Sequence, residues 1–228
     1  MSNNNKALLL IGSPKGENST SASLGNHLTS RLEELGMKIE KGFIHRLVNR
    51  EETIQDLIRK VDSADLIILS FPLYVDSLPA PVIKAMELIK EERNKFESKK
   101  SQNFIAISNN GFPEASQNII ALQICRIFSR DCGFVWKGGI VVGGGGAING
   151  IPLQERGGMV RNVIKGLDIA AHALKDGKDI PQEAIDLISK KFIPYTFYRV
   201  FGNLGWRLQA RKYGVKKKIK DTPYSLTI

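Results

Sequence analysis

The sequence predicts an α/β fold: a sheet of five parallel strands covered by helices on both faces, followed by a basic helical extension. Three observations predict it. Short apolar runs recur five times before residue 143, and most are apolar at nearly every position, as burial on both faces of a parallel sheet requires. The segments between them carry helical spacing and are long enough to cross over from one strand to the next. No internal repeat and no long linker interrupts the alternation.

Each element follows from local pattern. Residues 6–11 form the first strand, where Ala7-Leu8-Leu9-Leu10-Ile11 runs apolar until Gly12. Leu24, Leu28, Leu32 and Leu35 recur at three- and four-residue intervals, giving an amphipathic helix that stops at Gly36. Residues 37–45 read as the second strand, and residues 51–62 as a short helix with Ile54, Leu57, Ile58 and Val61 on its apolar side. Asp65-Leu66-Ile67-Ile68-Leu69-Ser70 is the third strand. Pro79-Ala80-Pro81 opens a helix to about Glu92, because proline suits a first helical turn. The charged stretch 93–101 is turn-like, residues 103–108 are the fourth strand, and a helix over 115–131 closes near Gly133. Residues 134–142 are the fifth strand, before Gly143-Gly144-Gly145-Gly146. A long helix over 153–176 and a shorter one over 181–191 follow. The expected division is a domain over 1–191 and an extension over 192–228.

A chain of 228 residues buries one good core. No apolar stretch approaches the roughly 18 residues a bilayer span needs. The start, Met1 to Lys6, leads into too short an apolar run for a secretory signal, so the expected location is the cytoplasm. Cys125 and Cys132 lie seven apart in a helical segment, about 10 Å along the axis, beyond disulfide reach. They read as plain buried thiols. His27, His45 and His172 are scattered, and no cysteine cluster suggests zinc or iron–sulfur, so no metal is expected. The net charge of +10 is concentrated: residues 190–220 carry ten basic side chains and no acidic one. The remainder is neutral on balance, so only the extension would attract polyanions.

The strongest chemical signal follows the first strand. Gly12-Ser13-Pro14-Lys15-Gly16-Glu17-Asn18-Ser19-Thr20-Ser21 turns from strand to helix through small hydroxyl residues. Amides at a helix start lack partners and the helix dipole favours an anion there, so this bend suits a phosphate. Ser13, Ser19, Thr20 and Ser21 can add hydroxyls, Lys15 charge, and Asn18 can shape the loop. The bend lacks the Gly-Lys pair of the nucleoside-triphosphate loop and the G-x-G-x-x-G of the dinucleotide fold, which favours a mononucleotide with a terminal phosphate, such as FMN.

In open parallel sheets ligands bind at the carboxyl ends of the strands, so the other loops at that edge are candidates. After strand three, Pro72, Leu73, Tyr74 and Val75 form an apolar, proline-stiffened loop suited to a flat ring. After strand four, Asn109, Asn110 and Gly111 can meet the polar edge of a heterocycle. The glycine run after strand five reads as open enough for a second substrate. Asp76 and Glu114 read as solvent-facing.

At these residues the chain resembles a known family. Gly12-Ser13-Pro14-Lys15 with its Ser/Thr cluster resembles the FMN phosphate loop of the NADPH-dependent FMN reductase branch of flavodoxin-like proteins. Pro72-Leu73-Tyr74 with Pro79, and the helix holding Lys84, resembles that branch's second FMN loop; Ser108-Asn109-Asn110-Gly111-Phe112 takes the place of the third. The resemblance implies a flavodoxin-like three-layer sandwich with strand order 2-1-3-4-5, bound FMN, NAD(P)H as transient co-substrate, and often a homodimer. It departs from the related iron–sulfur flavoproteins, whose compact cysteine motif is missing, and from the acidic electron-carrier flavodoxins.

The expected function is an FMN-dependent oxidoreductase passing reducing equivalents from NAD(P)H to a small-molecule acceptor: a quinone, azo dye, nitro compound or flavin. Such a scheme needs no fixed catalytic acid or base. The alternative is a flavin-bound carrier or regulatory module without turnover. A phosphorylatable receiver ranks far below, since the acidic cluster and strand-three Asp it needs are missing. In the extension, Phe197, Phe201, Leu204 and Leu208 share a helical face, although Gly202 and Gly205 weaken its interior. The preferred reading is packing on the domain or on a partner copy. Contact with a membrane surface is the second reading, and contact with nucleic acid a weaker third.

Overall fold

The computed structural model describes residues 6–95 and 100–222. Parts of the charged stretch 93–101 and of the opening segment fall outside them. The chain forms two compact units, one up to Phe192 and one from Ile193.

In the first unit the element order is β1 (Lys6–Ile11), α1 (Thr20–Glu34), β2 (Lys38–Phe43), α2 (Ile44–Leu47), α3 (Glu51–Ser63), β3 (Leu66–Pro72), α4 (Ala80–Arg93), β4 (Asn103–Asn109), α5 (Ile119–Asp131), β5 (Val135–Val142), α6 (Arg161–Lys175) and α7 (Gln182–Ser189). All neighbouring strands pair in parallel, in the order β2-β1-β3-β4-β5. This is the doubly wound sandwich that the sequence predicts.

The alternation of side chains along a strand explains the continuous apolar runs. Ala7, Leu9 and Ile11 of β1 join Leu24, Leu28, Leu32, Val163 and Leu167 in the core on one face. Leu8 and Leu10 join Leu57, Val82, Met86, Phe104 and Phe128 on the other. Fully burying one such leucine stabilises the fold by roughly 2–3 kcal/mol, and a polar residue at any of these places would lose that on either face.

Local differences have physical causes. The second strand stops at Phe43 and His45 lies in α2, not in a strand. The helix expected over 115–131 begins as a 3-10 turn, Ala115–Asn118, before α5. The helix expected over 153–176 is broken: Leu153–Val160 is 3-10 with Gly157 at φ 58°, and α6 starts only at Arg161. Adjacent Gly157 and Gly158 hold a helix interior poorly, and the left-handed φ ends it. Arg156 donates through Nε and a terminal nitrogen to the Ile148 carbonyl, tying this segment to the loop after β5. His27 on α1 donates from Nε2 to Asp168 on α6 at 2.9 Å and accepts from Gln154 at Nδ1, also 2.9 Å. Cys125 and Cys132 are buried and form no disulfide; burial pushes the Cys125 thiol pKa up, away from reactive thiolate.

The second unit consists of α8 (Tyr195–Lys212) and a 3-10 turn, Lys216–Lys218. Among the described residues no helix is long and apolar enough to cross a membrane.

Candidate functional site

The first loop is set by backbone geometry at the end of β1. The Gly12 amide donates to the Ser70 carbonyl of β3 at 2.8 Å. A Cβ on Gly12 would lie 2.4 Å from Val82 Cγ2 and 2.9 Å from Phe71 Cβ, so only glycine lets α4 close on this edge. Gly16, at φ 57°, closes a turn from its amide to the Ser13 carbonyl. Ser19 then caps α1: its Oγ accepts from the Ala22 amide at 3.1 Å and donates to the Gly16 carbonyl at 2.6 Å.

Those bonds change what the hydroxyls can do. The single Ser19 proton is committed to Gly16. Thr20 Oγ1 donates to the Gly145 carbonyl at 2.7 Å, and Ser21 Oγ accepts from Asn109 Nδ2 at 2.8 Å. Asn109 Nδ2 also donates to the Phe71 carbonyl, and Ser70 Oγ donates to the Ser21 carbonyl. The helix start is thus wired to the ends of β3 and β4 and to the glycine loop. Left over for an anion are the Thr20 and Ser21 amides, which have no acceptor among the described residues, the hydroxyl protons of Ser13 and Ser21, whose oxygens only accept, and Lys15, which is exposed and has no carboxylate partner among them.

The second loop is a tight hairpin. Tyr74 and Ser77 exchange backbone bonds of 2.9 and 3.0 Å across Val75 and Asp76, which both have positive φ, 48° and 57°. The mirror-type turn points Val75 away, 98% exposed, whereas Tyr74 stays half-exposed at 46%. The third loop is anchored by the Leu73 amide on the Asn109 carbonyl, 2.7 Å, and by the Asn110 amide on the Val142 carbonyl, 3.1 Å. Asn110 Nδ2 donates to the Glu114 carbonyl at 3.0 Å, while its Oδ1 is buried without a partner. Lys191, 3.1 Å from Glu114, holds that carboxyl below its usual range.

The glycine run is packed over most of its length and open only at Gly146. Gly144 and Gly145 donate to the Phe112 and Asn110 carbonyls at 2.6 and 2.7 Å, and Gly145–Ala147 forms a 3-10 turn. A Cβ on Gly143 would lie 2.4 Å from the Pro113 carbonyl oxygen, and one on Gly150 2.5 Å from Asn18. Glycine is there for close approach of backbones, so the fourth loop is part of the wall.

These loops surround a cleft of about 210 Å³ at the carboxyl edge of the sheet. All the candidates chosen from sequence line it except Val75; Gly145, Gly146 and Asn149 line it in addition. Their loop, Gly143 to Gly150, is a candidate for a second substrate from its place at the same edge, but the sequence singles out none of the three as a cofactor contact. The cleft fits a phosphorylated flat heterocycle on its own chemistry. Free helix-start amides and a lysine stand at one end. An unpaired buried amide oxygen, Asn110 Oδ1, can accept from a ring N–H. A Cβ on Gly146 would meet nothing within 4 Å, so that side remains open. Among the described residues no group of His, Cys, Asp or Glu could hold a metal ion.

The comparisons with known proteins point the same way. The sequence model of the NADPH-dependent FMN reductase family matches residues 5–122, more than half of the chain. Among solved structures, an FMN-dependent NADH-azoreductase from Bacillus anthracis str. Ames Ancestor in complex with FMN is similar with a TM-score of 0.54 and 15% identity, over 75% of this chain and 99% of that one. A flavone reductase is similar with a TM-score of 0.55 and 12% identity, over 76% of this chain and 65% of that one. At such identities these likenesses are of fold. No curated protein matches the chain by sequence.

Proposed function

This chain belongs to the NADPH-dependent FMN reductase family, and from that footing we propose that its cleft seats FMN with the phosphate at the start of α1 and the ring between the loops after β3 and β4. Bound FMN supplies hydride acceptance from NAD(P)H and onward electron transfer.

The chain's own residues do the binding and orienting. The Thr20 and Ser21 amides and Lys15 hold the phosphate, with Ser13 beside them. Ser19, through its cap, and Asn109, through Ser21 and Phe71, keep those donors aimed. Tyr74 gives an aromatic face and Pro72 and Leu73 a stiff apolar rim. Asn110 Oδ1 and the Gly111 backbone meet the polar ring edge. Gly146 leaves one ring face open for NAD(P)H and then for the acceptor.

The acceptor is a flat, reducible compound: a quinone, azo, nitro or flavin molecule. Half-exposed Tyr74 and Phe112, 53% exposed, stand on the two ring loops and suit stacking on such a molecule. The azoreductase and flavone reductase that share the fold are named for substrates of this kind. A homo-oligomer acting in the cytoplasm belongs to the same proposal. Exposed Ile83 on α4 and Ile127 on α5 line a shallow groove with Met86 and Ile124, an apolar surface suited to a second copy.

One observation carries the reading: candidates chosen from three separate loops converge on one cleft whose unpaired donors and acceptor match a phosphate and a ring edge. The test is FMN titration followed by flavin fluorescence, then NADH and NADPH oxidation with each acceptor class. Saturable quenching and oxidation above the free-FMN background are expected. Absence of binding defeats the assignment; binding without turnover leaves a carrier or regulatory module.

A further inference from the structure

The flavin chemistry uses none of the ten basic residues between 190 and 220. Within this segment, α8 gives the apolar residues an address. Phe197, Phe201, Leu204 and Leu208 recur at intervals of four, three and four, so they fall along one stripe, which Val200 widens. The Phe197 and Phe201 rings stack along it with centroids 6.2 Å apart. The helix has no buried residue, and Phe201 is 64% exposed. Arg199 lies on the opposite face, 6.0 Å from the Tyr195 ring. Immediately beyond the helix, Lys216, Lys217 and Lys218 form a short turn of pure positive charge.

We infer that residues 195–220 form an interfacial anchor for an anionic lipid surface, with the stripe in the acyl boundary and the cations among the headgroups. Charge selects this occupant. An apolar stripe alone suits any surface that covers it, including the chain's own domain or a second copy. Within 195–220, eight cations with no acid among them suit a surface of fixed negative charge. Nucleic acid supplies that charge, but Leu204 and Leu208 have no ring to stack on a base, and a duplex offers their stripe no apolar sink. A lipid interface supplies both. At 1.5 Å per residue the helix is about 27 Å long, and it carries too much charge to cross a bilayer; it would lie in the plane of the interface. The inference rests on the second unit alone and does not depend on the flavin assignment.

The test is co-sedimentation of the full chain with vesicles of phosphatidylcholine alone and of phosphatidylcholine mixed equally with phosphatidylglycerol. The expected result is pelleting with the anionic vesicles only, reversed by salt. The charge variant Lys216→Gln/Lys217→Gln/Lys218→Gln should bind on the order of 100-fold more weakly, at roughly fivefold per cation. The stripe variant Phe201→Ser/Leu204→Ser/Leu208→Ser should lose at least tenfold. Both should keep the parent's far-ultraviolet circular dichroism, which controls for folding of the helix; should the stripe variant not fold, the charge variant and the neutral vesicles still decide. Equal pelleting with both vesicle types, or full binding by either variant, overturns the inference. So does duplex DNA binding that survives the stripe variant while anionic vesicles fail to bind. A stripe variant that changes the oligomeric mass, with no vesicle binding in the parent, overturns it in favour of a second copy.

Discussion

The two ends of the sheet are built from the same strands and treat their polar groups in opposite ways. At the amino end the loose valences are closed. Arg93, buried at the end of α4, donates to the Cys132 carbonyl at 2.7 Å, to the Gln102 side chain, and to the Lys100 carbonyl at 3.1 Å, and it lies 4.2 Å from the centre of the Phe134 ring. Gln102 in turn donates to the Val61 and Ala64 carbonyls that end α3, at 2.6 and 2.7 Å. Asp65 receives the Lys6 amide and the Lys100 ammonium. At the carboxyl end the bonds stop short: the Thr20 and Ser21 amides, Lys15 and Asn110 Oδ1 are left open around a cleft. Buried polar groups are costly when unpaired. A fold that pairs them with such care at one end and leaves them unpaired at the other marks where something else is meant to complete them.

That contrast predicts a double dissociation. Arg93→Ala removes the donor for three acceptors and should lower unfolding free energy by about 2–4 kcal/mol, the largest effect expected, while FMN affinity of the folded fraction changes by less than twofold. Urea unfolding with a parallel flavin titration measures both. Lys15→Gln should do the reverse. Loss of one charge-assisted contact to phosphate weakens FMN binding by about tenfold, riboflavin binding is unchanged, and stability moves by no more than about 0.5 kcal/mol. If both variants moved both readouts together, the two ends would not be distinct in kind.

The sequence shows the sheet, its order through the family resemblance, and the four loops at the site's edge, because burial on both faces and strand-to-helix turns leave marks at single-residue scale. It does not show how hydroxyls are spent. Ser19 is chosen equally well by a phosphate and by a helix cap, since both want a small side chain with an oxygen at the same place. Gly145, Gly146 and Asn149 depend on long-range bonds, such as Thr20 to Gly145, that no local pattern encodes. The break at Gly157 follows from a left-handed φ that a pair of glycines permits but does not demand.

Val75 shows the same limit and yields the third test. Its apolar side chain suggests a ring contact, yet the turn it occupies holds it at φ 48°, where a β-branched residue is strained. Val75→Asn relieves that strain in a turn type that favours asparagine. A gain of about 1 kcal/mol is expected, with FMN affinity within twofold because the exposed side chain does not line the cleft. A large loss of affinity would place Val75 at the ring after all.

The smallest effect tests whether the closed end is closed by charge as well as by hydrogen bonds. Glu40 on β2 pairs with Lys6 of β1 at 2.8 Å and with Lys60 of α3, tying the edge strand to its neighbours. The bonds to Lys6 and Lys60 hold the Glu40 carboxyl below its usual range, and the Glu40 bond holds Lys60 above its own. A carboxyl with a depressed folded pKa contributes stability that is complete above its unfolded value and disappears as pH falls through the folded one. A raised lysine contributes stability that is complete below its unfolded value and fades as pH climbs through the folded one. Near neutrality both contributions are therefore present. Because the three side chains are partly solvated, Glu40→Gln should cost at most about 1 kcal/mol at pH 7. The difference from the parent should shrink as pH drops below the ordinary carboxylate range, where the parent's own Glu40 becomes neutral. A difference that persisted undiminished in acid would mean that the side chain acts through packing, and that hydrogen bonds to the backbone carry this end of the sheet.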